Sequence, residues 1–378
     1  MDAIIDKRLL AGLQDKTWLY TGAESPLLME TKWAVESYLT NRELGPDGRL
    51  LNSQEEANCK QRVAQLVNGS AENIALLSNS SEIISLIANS LQLRPGDNVV
   101  INTLEFPSGI LPWLALKQEG IEIRVINHTN WEISVEDILA QVDKRTRVVM
   151  TSHVSYITGA RLDYIRLYEQ LKETNALLFL DATQALGVVE VDINHTDFLV
   201  CSSYKWLMSI HGLGILGINP ERVTSLTPKS VGWRSVTNMF GVAESQSFDF
   251  LEDARRFEQG YPSYATIYAL SSSTKLLLEI GIDRIEKHVL ELGQYLIDRM
   301  AKLPYPLMTP GAAERRAGNI CFACASGEEI AQALKEKSIF VWGGDGRFRV
   351  SIHFFNDKED VDRLVGQLEQ LIKGEGER

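Results

Sequence analysis

Residues 176–217 read ALLFLDATQALGVVEVDINHTDFLVCSSYKWLMSIHGLGILG, and this stretch contains two short apolar, β-prone runs. Both runs, Leu177–Leu180 and Phe198–Cys201, are followed by polar residues, as where a chain leaves a sheet. Asp181 follows the first run directly, and Lys205 comes shortly after the second. If the runs are neighbouring parallel strands, their carboxyl ends share the crevice in which open α/β sheets bind ligands. The sequence therefore predicts a carboxylate and an amine that face one space.

A carboxylate and a lysine amine in one crevice suit the cofactor pyridoxal 5'-phosphate. This cofactor needs an amine that bonds to its aldehyde and a carboxylate that keeps its pyridine nitrogen protonated. Lys205 and Asp181 match those two roles, and Gln184 is a candidate for binding the hydroxyl of the ring. The same spacing also fits an ordinary Asp at a strand end and an exposed Lys. These residues alone leave both interpretations open.

The chain resembles the class V aminotransferase family in two motifs, Asp-Ala-Thr-Gln at 181–184 and Ser-Ser-Tyr-Lys-Trp at 202–206. This group of fold-type-I pyridoxal phosphate enzymes contains cysteine desulfurases, cysteine and cystine lyases, isopenicillin N epimerase-like proteins and kynureninase. The Ser-Tyr-Lys form is most similar to the kynureninase and epimerase-like branches. The resemblance covers nearly the whole chain. It implies an α/β fold with a mixed, mostly parallel seven-stranded sheet, helices on both faces, and a smaller C-terminal α/β domain. It also implies a homodimer with active sites at the subunit interface.

Composition narrows the classes of partner. The chain has 378 residues, with 38 Lys and Arg against 50 Asp and Glu, which gives a formal net charge of −12. Such a surface repels phosphate backbones, so we expect no nucleic-acid partner. No apolar run approaches the roughly 18 residues that a membrane span needs, so no membrane is expected either. Four cysteines and no signal-peptide pattern at the start predict a reduced, cytoplasmic protein.

A phosphate site is predicted where a strand at Asn73–Leu77 is followed by a helix at Glu82–Leu91. A helix N-terminus offers unpaired N–H groups and a partial positive charge, and small hydroxyl residues add further donors. The alternative is an ordinary helix cap, which Ser and Asn favour in any case. The resemblance implies that the cofactor phosphate is held by Ser80, Ser81, Ser202 and Tyr204.

Two aromatic residues stand where desulfurases carry polar ones. By the resemblance, Phe106, after the predicted strand Asn98–Asn102, stands where desulfurases have a His that stacks on the cofactor ring. A phenyl ring stacks but carries no proton, so a proton for a sulfur leaving group must come from elsewhere. Tyr156 replaces an Asn that contacts cofactor or substrate, and it is a candidate substrate contact.

The C-terminal region carries a second match to the family. Residues 348–353, Phe-Arg-Val-Ser-Ile-His, resemble its C-terminal signature, in which the arginine binds the substrate α-carboxylate through a bidentate guanidinium. Arg349 takes that position. By the same resemblance Ala23 and Glu24 lie beside the substrate. Tyr261 stands where family members place a Thr that reaches the phosphate of the partner subunit's cofactor.

The pattern of elements predicts three parts. Residues 1–20 form a short helix and an arm, 21–260 the large cofactor domain, and 261–378 two long helices and the small domain. Strands are predicted at Asn98–Asn102 and Phe340–Trp342, among others. Gly212–Gly217 spells GxGxxG, but a strand-like run and a proline follow it, so it is rejected as a dinucleotide site. We expect its glycines to let the backbone pass close to the cofactor lysine.

The cysteines bear on the reaction. No Cys lies near Leu334, where desulfurases place a mobile thiolate, and this disfavours persulfide-forming chemistry. Cys321 and Cys324 fall on opposite sides of a core strand and cannot clasp one metal ion, so no metal is expected.

The predicted function is chemistry at Cα of a small amino acid. Transamination and β-elimination by a C–S lyase are the two expected outcomes. The alternatives left open are racemisation of the isopenicillin N epimerase type and a catalytically inactive binding protein of the same fold.

Overall fold

A computed structural model describes residues 1–224 and 226–376. The strands are β1 (Thr17–Trp18), β2 (Ile74–Leu77), β3 (Asn98–Asn102), β4 (Glu122–Ile126), β5 (Thr146–Ser152), β6 (Leu177–Asp181), β7 (Phe198–Ser202), β8 (Gly214–Ile218), β9 (Asn319–Ala323), β10 (Ile339–Phe340), β11 (Trp342–Gly344) and β12 (Arg347–Ser351). The helices are α1 (Met29–Asn41), α2 (Pro46–Leu66), α3 (Ser80–Ser90), α4 (Leu111–Ala115), α5 (Val135–Leu139), α6 (Tyr164–Leu171), α7 (Val242–Ser245), α8 (Tyr264–Ile280), α9 (Ile282–Met300), α10 (Gly327–Glu336) and α11 (Lys358–Gly376).

Within the described residues, seven strands form one large sheet in the order β2-β8-β7-β6-β5-β3-β4. All neighbours are parallel except that β8 runs antiparallel to both β2 and β7. β6 and β7 are parallel neighbours, as the two apolar runs predict, and Asp181 pairs with Val200. The mixed, mostly parallel seven-stranded sheet is therefore confirmed.

Successive side chains of each strand point to opposite faces of the large sheet, and helices pack on both faces. On one face Ile83 and Ile87 of α3 pack in a cluster with Phe198 of β7. On the other, Leu167 of α6 packs in a cluster with Leu178 of β6. The inner strands are accordingly mainly apolar, whereas the edge strand β4 carries Glu122 and Arg124 and is partly exposed.

A second, smaller sheet has the order β11-β12-β9 and is antiparallel throughout. Strand β12 is central, so both neighbours bury the residues that it carries. β1 pairs in parallel with β10, which ties the start of the chain to the C-terminal region. The division at residues 20 and 260 stays a prediction.

Two sequence-based expectations about elements were wrong. Instead of a helix, the first twenty residues contain one 3₁₀ turn at Lys7–Leu9, after which Leu10 bridges to Leu28. The strand expected at Phe340–Trp342 is split, since Phe340 pairs with Trp18 and Trp342 with Arg349. The chain changes sheets between those two residues.

In the part of the chain that the structure describes, no helix combines the length and apolar character that crossing a membrane requires.

Candidate active site

Asp181 and Lys205 lie at the carboxyl ends of β6 and β7. Asp181 is buried, with its Oδ1 accepting a hydrogen bond from the backbone N–H of Thr183 at 2.8 Å. Burial raises the pKa of Asp181, while the bonds from Thr183 and the charge of Lys205 oppose that rise. The Thr183 hydroxyl also accepts the backbone N–H of Ser202 at 3.2 Å, which ties the two strand ends together. Thr183 thus holds the carboxylate through its N–H and joins the end of β6 to the end of β7 through its hydroxyl.

The amine of Lys205 is half-buried among aromatic rings. Its Nζ lies 5.7 Å from the centroid of the Phe106 ring and 5.7 Å from that of Tyr204. No carboxylate of the described residues lies within salt-bridge distance of this amine. Burial and the charge of Arg349 lower the pKa of Lys205 to about 8, and Asp181 acts in the opposite direction. Lys205 is therefore an amine that loses its proton close to neutral pH.

Gln184 is buried and already engaged at both ends of its amide. Its Nε2 donates to the carbonyl of Gly22 at 2.9 Å, and its Oε1 accepts from Trp206 and Asn319, each at 2.9 Å. One N–H of Nε2 is left for a ligand. Binding of the cofactor hydroxyl by Gln184 stays a prediction, and the residue also joins the two sheets.

Three of the four residues expected at the phosphate gather at the start of α3. The hydroxyls of Ser80 and Ser202 lie 2.7 Å apart, and Ser81 pairs with Ser108 at 2.6 Å. Because α3 is a full helix of 11 residues, its first N–H groups and these hydroxyls converge in a donor set that suits phosphate. The donor chemistry therefore fits the phosphate group of the cofactor.

Tyr204 lies apart from this set. Its ring stacks on His211 with centroids 3.8 Å apart, and its hydroxyl makes no hydrogen bond to the serines among the described residues. Burial and the nearby Glu24 raise the pKa of Tyr204. Its place at the phosphate stays a prediction.

The glycines of the rejected GxGxxG do not pass close to Lys205. A Cβ on Gly214 would lie 2.5 Å from the backbone of Asn79 and 2.8 Å from Ser80 N, so β8 crosses against the start of α3. The backbone beside the lysine is instead approached by Gly187, whose φ is +102° and whose Cβ would lie 2.5 Å from Trp206 O. The expectation that these glycines pass close to Lys205 was wrong. Gly214 does allow a close backbone approach, but to the start of α3.

Phe106 and Tyr156 form one wall of the crevice. Their rings meet edge to face with centroids 5.3 Å apart, and Phe106 remains 47% exposed. An exposed aromatic face beside the lysine is available to a planar ligand, but stacking on the cofactor stays a prediction. Ala23, expected beside the substrate, lies in a turn in which its N–H donates to Tyr20 O at 2.8 Å.

Arg349 reaches this crevice from the small sheet. It is 3% exposed, and its Nη1 donates to the carbonyl of Tyr156 at 2.8 Å, while its Nε has no partner among the described residues. Burial and the charge of Arg347 contribute to lowering the pKa of Arg349 to about 10. Gly22 allows this approach, because a Cβ there would lie 3.2 Å from Arg349 Nε. Arg349 is therefore charged, dehydrated and incompletely paired.

Sequence reasoning missed a buried carboxylate at the end of β3. Glu105 accepts hydrogen bonds from Asn102 Nδ2 at 2.8 Å and from Ser152 N and Oγ at 2.8 and 2.5 Å. Burial raises the pKa of Glu105 to about 7 against these bonds. The signal was a Glu just after a buried strand, next to Phe106.

Tyr261, expected to reach the partner's phosphate, is 54% exposed and accepts a hydrogen bond from Arg49 Nη2 at 2.6 Å. It lines a cavity of about 460 Å³ together with Ser78 and Glu82 near the start of α3. Its contact with a partner subunit stays a prediction. Among the described residues no cluster of three or more His, Cys, Asp or Glu could hold a metal ion.

The chain is similar to a known protein family. A family model described as "Aminotransferase class-V" matches residues 49–364. The chain belongs to this family. It is an enzyme that depends on pyridoxal 5'-phosphate, so the cofactor predicted from the sequence is confirmed.

The similar proteins and solved structures carry different names. A probable cysteine desulfurase of Pyrococcus abyssi is 28% identical over 342 residues, 85% of this chain and 84% of the relative. The uncharacterized aminotransferase YcbU of Bacillus subtilis is 23% identical over 96% of each chain. The apo structure of a cysteine desulfurase from Thermococcus onnurineus NA1 superposes with a TM-score of 0.88 at 24% identity over 97% of each chain. A complex of the cystine C–S lyase C-DES with cysteine persulfide gives a TM-score of 0.87 at 21% identity over 95% of this chain and 98% of that one.

These comparisons confirm the predicted family, the predicted fold and the prediction that the protein is an enzyme. They correct one expectation about its reaction. Persulfide-forming chemistry is not disfavoured, because several relatives carry the name cysteine desulfurase. The missing cysteine bears only on a sulfur acceptor near Leu334, which is a buried residue of α10. A missing acceptor at one position does not decide whether a C–S bond is broken.

Proposed function

We propose that the protein removes the Cα proton of a small amino acid and then completes either a transamination or a β-elimination. One observation carries this proposal: the amine of Lys205, with its pKa lowered to about 8, shares a crevice with the buried Asp181. A base with a pKa near the working pH is the most effective kind for moving a proton.

The residues fit the cofactor at each of its functional groups. Pyridoxal phosphate supplies an aldehyde for bonding to an amine and a protonated ring that accepts electron density from Cα. We propose that Lys205 bonds to the aldehyde, that Asp181 pairs with the ring nitrogen and that Phe106 stacks on the ring. Gln184 has one amide N–H free for the ring hydroxyl. The residues proposed to hold the phosphate are Ser80, Ser81, Ser202 and Tyr204.

Arg349 is the proposed site for the substrate α-carboxylate. A buried guanidinium with an unpartnered Nε gains a charge-assisted hydrogen bond when a carboxylate arrives. The carboxylate orients the amino acid, and the Lys205 amine then accepts the Cα proton. Ala23 and Tyr156 are proposed to border the side chain of the substrate.

The fate of the product separates the two outcomes. Purified holoenzyme is mixed with S-substituted cysteines and with a panel of other amino acids. Release of pyruvate supports β-elimination, whereas conversion of the cofactor to its amine form supports transamination. Loss of optical purity without either product supports racemisation, and no change with any amino acid contradicts the proposal.

Cysteine desulfuration is a second candidate, favoured by the names of several relatives. Three of the four cysteines are buried, and Cys324 is half-buried. Incubation with cysteine followed by intact-mass analysis tests this candidate, since desulfuration predicts alanine and a persulfide on a protein thiol, whereas β-elimination of cysteine predicts pyruvate, ammonia and sulfide. A Cys324→Ser variant shows whether that thiol is the acceptor.

We also propose a homodimer in a reducing compartment. Large apolar side chains on and between α1 and α2 are exposed, including Trp33 at 53%, Leu39 at 57% and Leu50 at 70%. Exposed apolar surface of this extent is typical of an interface. Light scattering during gel filtration distinguishes a dimer from a monomer. The free state of all four cysteines supports the cytoplasmic location.

A further inference from the structure

We infer that Arg347 binds a second negative group, so that the preferred substrate is an α-amino acid with an anionic side chain. The inference rests on the proposed function, because it extends the site in which Arg349 takes the α-carboxylate. Arg347 and Arg349 are separated by one residue on the central strand β12, so their side chains point to the same face. Their Cα atoms are about 6.6 Å apart along an extended strand.

Arg347 is a buried cation without adequate compensation. It is 3% exposed, and both Nε and Nη2 lack a hydrogen-bond partner among the described residues. Its nearest carboxylate, Asp345, lies 3.5 Å from Nη1 and is 73% exposed. A solvated, distant carboxylate contributes little to a buried guanidinium. Removing these N–H groups from water without a partner is costly, so a ligand anion would satisfy them.

The two guanidiniums form one continuous positive wall. The Trp342 ring lies 4.6 Å from Cζ of Arg347 and 5.4 Å from Cζ of Arg349, and so supports both side chains. This wall adjoins the crevice through Tyr156. Its carbonyl accepts from Arg349, and its ring lies 5.8 Å from Cζ of Arg347.

The same tyrosine connects the wall to the proposed reaction centre. The Tyr156 ring contacts the Phe106 ring, and the Lys205 amine lies over the Phe106 ring. An amino acid whose α-carboxylate is bound by Arg349 therefore has its side chain close to Tyr156. A second anion placed one or two carbons beyond Cα could reach the free N–H groups of Arg347.

The chemical class is an amino acid with a carboxylate at the β or γ carbon. A sulfinate presents the same charge and acceptor geometry, so the two acids are separate arms of the test. A purely structural Arg347, packed between Trp342 and Tyr156, predicts no preference for anionic side chains. The two explanations therefore differ in ligand selectivity rather than in stability.

Binding is measured on the holoenzyme with unreactive acids, by spectral titration of the cofactor band. The probes are glutarate and succinate, each with two carboxylates, and butyrate, which has one. We expect the dicarboxylates to bind at least about tenfold more tightly, since a charge-assisted bond to a buried guanidinium is gained. Arg347→Gln should abolish that preference, Arg347→Lys should retain part of it, and Arg349→Gln should weaken all three acids.

Arg145→Gln is the matched control, because Arg145 is 60% exposed and its loss changes the net charge by the same amount. It should leave the preference intact. The reactive arm compares kcat/KM for aspartate, glutamate and cysteine sulfinate with that for asparagine and glutamine, and the anionic members should be favoured. The better of the carboxylate and sulfinate arms identifies the side-chain anion.

Equal binding of dicarboxylates and butyrate by the wild-type holoenzyme overturns the inference. A preference that survives in Arg347→Gln overturns it as well. If that variant does not fold, as judged by circular dichroism, the wild-type comparison and Arg347→Lys decide the question. Failure of the proposed function has a different signature: no amino acid is converted, whatever the unreactive acids show.

Discussion

Two buried groups of charge in this molecule differ in how they are compensated. In the first, Glu56, Lys60, Arg234 and Glu258 place two carboxylates against two cations. Lys60 Nζ lies 2.7 Å from Glu258 Oε1, and Arg234 Nη2 lies 2.5 Å from Glu56 Oε1. We call this set the paired cluster. Its charges balance within the protein, although Arg234 Nη1 has no hydrogen-bond partner among the described residues.

The second group consists of Lys205, Arg347 and Arg349, which we call the unpaired cluster. Three cations share one region, and two guanidinium groups contain N–H atoms without partners among the described residues. Burial lowers the pKa of Lys205 to about 8 and that of Arg349 to about 10. In the paired cluster, by contrast, the bonds from Arg234 and Lys60 lower the pKa of Glu56 although burial opposes them.

The comparison separates stability from function. A buried ion pair whose members satisfy each other contributes to holding the fold, and breaking it leaves an uncompensated charge. Buried cations that lack partners destabilise the folded chain and are retained where a ligand supplies the missing charge. Mutations in the two clusters should therefore have opposite consequences.

The largest expected effect on activity follows from removing the amine. Lys205→Ala should lower turnover of amino acids by about 10³-fold or more, because both the covalent anchor and the base are lost. The unfolding free energy should change little. Borohydride treatment followed by intact-mass analysis should detect the cofactor on the wild type and not on the variant. Lys275→Ala, at a residue whose side chain is 60% exposed, is the control, and a cofactor adduct on Lys205→Ala would contradict the assignment.

The largest expected effect on stability comes from the paired cluster. Glu258→Gln should lower the unfolding free energy by about 3–5 kcal/mol, because Lys60 and Arg234 lose a shared carboxylate in a buried site. The backbone N–H of Leu76, which donates to Glu258 Oε1 at 2.9 Å, is also affected. Urea unfolding measures the change. Glu279→Gln is the matched control, since its pair with Lys275 is 60% exposed at both side chains and should matter by less than about 1 kcal/mol.

A smaller functional loss is expected at the carboxylate site. Arg349→Gln should reduce kcat/KM by about 10- to 100-fold, the range that a hydrogen bond to a charged group of about 1.5–3 kcal/mol supports. The unfolding free energy should stay the same or increase, because an uncompensated buried cation is removed. Steady-state kinetics and urea unfolding on the same preparations test both statements. A large loss of stability with unchanged kcat/KM would assign Arg349 to the architecture instead.

The smallest expected effect is a shift of pH dependence. Only the neutral amine attacks an aldehyde, so capture of pyridoxal phosphate by the apoprotein should rise with pH and level off above about 8. Because Arg349 lowers the pKa of Lys205, Arg349→Gln should move the midpoint to higher pH. The rate is followed by absorbance at a series of pH values. A rate that still rises steeply near pH 10 would indicate a lysine with an ordinary pKa.

Local pattern was sufficient for the two central strands of the large sheet and the polar residues that follow them, whereas the sheet as a whole was expected from the family resemblance. Leu177–Leu180 and Phe198–Cys201 are continuous apolar runs because both faces of the sheet are covered, and this makes the parallel pair recognisable. The start of α3 was recognisable for a similar reason, since its serines and Asn79 favour helix caps. The strand predicted at Phe340–Trp342 failed because pairing partners distant in sequence, and not local propensity, divide it between two sheets.

The sequence by itself determined the family, the cofactor and the two parallel strands that precede Asp181 and Lys205, because these depend on short motifs and on continuous apolar runs. Only the tertiary structure decided which charges remain without partners. Arg347 is an ordinary strand residue in the sequence and Glu105 an ordinary carboxylate, whereas Arg349 stands out there only through its resemblance to the C-terminal signature of the family. The fold buries all three side chains. It leaves N–H groups of the two arginines, packed near Tyr156 and Trp342, without partners among the described residues, and it surrounds Glu105 with hydrogen-bond donors. Since desolvation depends on everything packed around a group, it cannot be read from the neighbours of that group along the chain.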